Sequence, residues 1–102
     1  TLPIDASDIS ALTDASQPTA PSVTTTKANT MLVTMYAMDL SADTFQPVPG
    51  MTEIYDQATG SLQVGGSYSA LAAAGATGTK VAQRSGADIG PTINATVALS
   101  PR

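Results

Sequence analysis

Thr30 to Asp39 constrains this chain more than any other stretch. Met31, Val33, Met35 and Ala37 alternate with Leu32, Thr34, Tyr36 and Met38, so a strand over these residues has two largely apolar faces. That pattern predicts a central strand covered on both sides. Met, Leu and Ala are also good helix formers, which makes a helix the competing reading. The short run, its Val and Thr content and the turn signals at both ends favour the strand. Thr92 to Ser100 repeats the period of two, with Ile93, Ala95, Val97 and Leu99 on one face. Val33, Met35, Ile93, Val97 and Leu99 are therefore the expected core.

The remaining segments support the same class. Pro18 and Pro21 forbid a helix around them, and Ser22 to Thr26 reads as a short β-branched strand. Ala28-Asn29 is a turn, and Leu40 to Gly50 is a loop stiffened by Pro47 and Pro49. Met51 to Gln57 and Ser61 to Ser69 alternate around Ala58-Thr59-Gly60, which predicts a hairpin. Gly65-Gly66 inside the second run implies a bulge or a close backbone approach. Ala70 to Ala76 is either a strand end with a loop or an isolated helical turn. Thr79 to Arg84 is a further short strand with Val81 inward. The expectation is an all-β antiparallel sandwich or jelly-roll-like fold of about six strands. Residues 1–17 form an extended N-terminal arm, and residues 18–102 form the sandwich domain.

Composition narrows the function. The chain has 102 residues, four basic against eight acidic side chains, and no His, Cys or Trp. A net charge of −4 argues against nucleic acid and against an anionic membrane surface. Histidine triads, thiol nucleophiles, and metal sites or disulfides built on His or Cys are excluded outright. No apolar run approaches the roughly 18 residues of a membrane helix. Only 12% of residues are charged, and Thr, Ser, Ala and Gly take their place. Such a surface suits a secreted or surface protein, or a subunit packed among its own copies, where burying Lys and Glu would cost desolvation.

Few constellations suggest chemistry. Asp39 and Asp43 flank Ser41 and Thr44, oxygen ligands that suit Ca²⁺, but the ordinary reading is a capped turn. Glu53 and Asp56 fall on opposite faces of a regular strand, which defeats a catalytic carboxylate pair. Gly75 to Gly78 lacks the Lys and helix of a phosphate loop. Asn94-Ala95-Thr96 matches a glycosylation acceptor but sits in mid-strand. Tyr36, Tyr55 and Tyr68 are candidate ligand-facing aromatics for stacking on sugar rings; core-edge packing is the plainer reading. No catalytic residue, cofactor or metal is expected.

Several stretches in order carry a resemblance: Pro3-Ile4-Asp5-Ala6, Thr19 to Thr26, Met31 to Asp39, Phe45-x-Pro47-x-Pro49-Gly50-Met51-Thr52-Glu53, Ala72 to Thr79, and Val97-Ala98-Leu99-Ser100-Pro101. Their order resembles the second half of an all-β module of phage structural and tail-associated proteins and bacterial secreted surface proteins. The resemblance implies a non-enzymatic structural role in a virion or at the cell surface: capsid decoration, a tail or fibre component, or a surface-filament subunit. Its alternative is a carbohydrate-binding or adhesion module. Met51 stands where the related loop has Trp. The related module also has a preceding half, so this chain is expected to be a fragment or to complete its sheets with other copies. Ile4, Ile9 and Leu12 of the arm are the expected anchors on copies of itself or on a larger particle subunit, with a glycan as the other candidate partner.

Overall fold

The computed structural model describes residues 3–10, 13–39, 45–46, 48–60, 62–84 and 89–101. The fold is all-β, with no helix among the described residues. Five strands make the main sheet: β1 (Ile4–Ile9), β5 (Thr30–Met38), β7 (Thr52–Thr59), β8 (Leu62–Leu71) and β12 (Gly90–Leu99). Their order is β1-β12-β5-β8-β7, antiparallel throughout, and β2 (Thr13–Ala15) continues along β12 beyond β1. β5 is central, as its patterning predicts, but it is covered on one side rather than both: its even-numbered residues are buried and Met31, Val33, Met35 and Ala37 are not. The β7–β8 hairpin also matches expectation, with Thr59 opposite Leu62 and Gly60 at φ 59° in the tight turn. Asn29 takes φ 61° in the turn before β5.

A second layer covers one face of this sheet. β3 (Thr19–Ala20) pairs with β10 (Lys80–Val81), and β4 (Thr24–Thr25) pairs with β9 (Gly75–Ala76). The two ladders belong to one ribbon in constant register. Between them the Thr77 amide donates to the Val23 carbonyl at 2.8 Å and the Gly78 amide to Ser22 Oγ at 2.9 Å. Beyond them the Ala82 amide donates to the Pro18 carbonyl at 2.9 Å. β6 (Phe45–Gln46) joins through β11 (Gln83–Arg84). Pro21 has no amide proton to give, and the ladder breaks beside it. The arrangement is sandwich-like, with a regular sheet on one side and an irregular ribbon on the other.

The covered face is not the expected one. Leu32, Tyr36, Met38 and Ala98 are buried there together with Thr30, Thr34, Asn94, Thr96, Gln63 and Ser67. Val33, Met35 and Val97 are only half-buried, and Ile93 (46% exposed) and Leu99 (39%) face solvent. Alternation separates the two faces of β5 and β12 but does not say which face the ribbon takes. The ribbon takes the polar face because its interrupted backbone leaves carbonyls to be bonded. Thr96 Oγ1 donates to the Pro21 carbonyl at 2.7 Å, and the Tyr36 hydroxyl donates to the Lys80 carbonyl at 3.1 Å. Val81, expected inward, is half-buried, and its neighbour Ala82 fills the core instead.

The apolar part of the core is small. One cluster joins Ala20, Tyr36, Met38, Phe45, Val48 and Ala82; a second joins Val23, Leu32 and Ala98; Met51 packs against both. A flexible thioether thus bridges the two clusters. Gly65 and Gly66 supply flat backbone for two rings on opposite faces. A Cβ on Gly65 would sit 2.6 Å from Phe45 Cδ2, and one on Gly66 2.7 Å from Tyr55 Cε1. Phe45 is buried and cannot retreat, whereas Tyr55 is exposed and can swing outward. Gly65→Ala is therefore expected to cost about 1–3 kcal/mol, as overpacking does in a closed core. Gly66→Ala should cost less than about 1 kcal/mol. Urea unfolding of the two variants checks this, and equal losses would contradict the assignment.

Candidate functional site

The second face of the main sheet is left open by the described residues. Cross-strand register arranges it in four rows. The first runs Ile4, Leu99, Met31, Ala70. The second runs Ser7, Val97, Val33, Tyr68, Thr52. The third runs Ile9, Ala95, Met35, Gly66, Tyr55, and the fourth Ile93, Ala37, Val64, Gln57. None of these residues is charged. Asp14 and Asp39, both beside Pro91, lie past the fourth row and form an acidic rim.

The relief of the face follows from residue size. Ala37, Ala95 and Gly66 leave low ground in the third and fourth rows. A shallow depression of about 220 Å³ forms there, lined by Ile9, Met35, Ala37, Tyr55, Val64, Ile93 and Ala95 among others. The second row carries the larger Val97, Val33 and Tyr68, and a further depression of about 270 Å³ lies beside Met31 and Ala70 at the first row. At about 4.8 Å between strands and about 3.3 Å per residue, the four rows cover roughly 600 Å². Ser7, Thr52 and Gln57 interrupt the apolar area at the outer strands; the largest apolar patch of a monomer, typically about 300–600 Å², is often a functional surface.

The expected site residues distribute unevenly. Ile4 and Ile9 lie on β1 and project onto this face, 47% and 66% exposed; Leu12 lies outside the described residues. Residues 4–9 and 13–15 are not a free arm, because β12 offers them an open edge and they complete the chain's own sheet. Tyr36 is not ligand-facing: it is buried, its ring tilted 55° against Phe45 at 6.2 Å. Burial holds its hydroxyl above the usual pKa. Tyr55 and Tyr68 do face outward, in adjacent rows.

The acidic residues have structural employment. A bulge between Glu53 and Tyr55 overturns the expectation that Glu53 and Asp56 lie on opposite faces; opposite Ser67 and Gly65, both point to the covered side. Asp56 Oδ1 accepts the Phe45 amide at 3.2 Å, which tethers β6. Asp43 lies outside the described residues, and no group of three potential metal ligands occurs among those described. Asn94 is buried, out of reach of a glycosylating enzyme. Sequence reasoning missed the face itself, although Ile93, Val97, Leu99, Val33 and Met35 were all legible as one apolar stripe.

Comparison with protein-family models, with curated proteins and with solved structures finds no match.

Asp5 clamps the edge of the face. Its carboxylate accepts the Thr26 hydroxyl at 2.5 Å and the amides of Thr26 and Lys27 at 2.8 and 3.2 Å. The Thr26 hydroxyl above all, helped by these amides and the Lys27 charge, holds its pKa below the usual carboxylate value against the opposing desolvation. A depressed folded-state pKa gives stability that is complete above the unfolded-state pKa and is lost as pH falls through the folded one. Asp5→Asn should therefore lower the melting temperature at neutral pH, with the gap to wild type closing in acid. Thermal melts across that range check this; a gap independent of pH would contradict it.

Proposed function

We propose that this chain is a non-enzymatic structural module of a virion or extracellular assembly, such as a capsid decoration protein, a tail or fibre component or a surface-filament subunit. The observation that carries the reading is the uncharged apolar face on the main sheet. A sheet face of this size is a docking surface rather than a solvated one. The low charge content fits packing among neighbours, and the ordered motifs resembling phage and cell-surface modules supply the setting.

A carbohydrate-binding or adhesion role is the second reading, favoured by Tyr55 and Tyr68 exposed on one face. The depression beside Tyr55 is walled mainly by aliphatic side chains, however, and sugar recognition needs convergent polar groups to fix hydroxyls. Particle fractionation separates the two. Virions or surface filaments from the source should carry the chain in many copies, and Val97→Lys should leave it in the soluble fraction with its far-ultraviolet circular dichroism unchanged. Failure of the wild-type chain to sediment with any assembly, together with saturable glycan binding abolished by Tyr55→Ala, would overturn the structural reading in favour of adhesion.

A further inference from the structure

We infer that the occupant of the apolar face is a second copy of this chain, docked face to face about a two-fold axis; this rests on the assembly reading above. Three observations converge. The first is area: two faces of roughly 600 Å² bury about 1,200 Å² together, the lower bound of a standard stable interface. The second is charge. A chain of net charge −4 repels its own copy everywhere except across a charge-free surface, and the four rows are such a surface. A cationic partner would instead be met by carboxylates, yet Glu53 and Asp56 point to the covered side and Asp14 and Asp39 lie beyond the rows.

The third is shape. An axis running across the strands between the second and third rows lays Val97 of one copy on Ala95 of the other, Met31 on Ala37 and Tyr68 on Gly66, large side chains on small ones. Leu99 of each copy then comes over the Ile93 end of its partner's β12, and Asp14 falls outside the overlap. Isologous contact requires this self-complementarity. Packed sheets meet about 10 Å apart with strands crossing near 30°, and the polar members of the rows, Ser7, Thr52 and Gln57, all lie on the two outer strands β1 and β7.

Sedimentation velocity of the full chain tests the inference, with Ile93→Lys and Leu99→Lys as variants. Both positions are exposed in the single chain, so the variants should fold with unchanged circular dichroism. Wild type is expected to sediment as a dimer, and each variant to dimerise at least ~100-fold more weakly, because the dimer then buries two unpaired charges, one at each Leu99–Ile93 contact. The double variant I93K/L99E should recover dimerisation, since the introduced charges are too far apart to pair within one chain and meet only across the axis. A wild-type monomer at all concentrations, or a dimer indifferent to the single substitutions, overturns the inference. Single variants that dissociate without rescue by the pair overturn the two-fold placement. A monomer that still sediments with particles leaves the assembly reading standing and assigns the face to a different subunit.

Discussion

The ribbon over the main sheet cannot complete its own ladder, and the sheet beneath supplies what it lacks. Pro21 interrupts one strand and Gly78, at φ 76°, bends the other. The Pro21 carbonyl is bonded by Thr96 and the Lys80 carbonyl by Tyr36, both from the sheet. Unbonded buried carbonyls would be costly, so a hydroxyl-rich sheet face is the complement that an irregular cover requires. Thr30, Thr34 and Ser67 then fall inside by strict alternation.

The same alternation fixes the other face. Once even-numbered residues of β5 and β12 turn toward the ribbon, Met31, Val33, Met35, Ile93, Val97 and Leu99 must turn away from it. The molecule therefore holds a mixed core, in which hydroxyl side chains share the interior with small apolar clusters, and leaves its more aliphatic stripe on the open sheet face. Its internal apolar clusters are modest, built round Met51, Tyr36 and Leu32. Association would complete the structure by adding a second, larger apolar layer outside the sheet.

Much of the architecture was legible in the residues. Period-2 runs located β5, β7, β8 and β12, and Gly65-Gly66 announced the close approach of rings. Which face of β5 would be covered was not legible, since both faces carry apolar side chains and the decision lies with Pro21 and Gly78 far away in sequence. The more hydrophobic stripe, Val33, Met35, Ile93, Val97 and Leu99, is the open face rather than the buried one. Tyr36 could not be told from Tyr55 and Tyr68 by type alone; its partner, the Lys80 carbonyl, is supplied by tertiary structure. The bulge at Ile54, which brings Glu53 and Asp56 to one side, left no local sign such as Gly or Pro.

The central claim is that the aliphatic face is an interface between copies with Leu99 over Ile93. Isotope-filtered nuclear Overhauser spectroscopy on a sample mixed from differently labelled chains reads this directly. The account predicts intermolecular signals between Leu99 and Ile93 methyl groups, and protection of the Val33 and Val97 methyls from a soluble paramagnetic agent. Methyl groups that are fully accessible to the agent, with no intermolecular signal at high concentration, would contradict it.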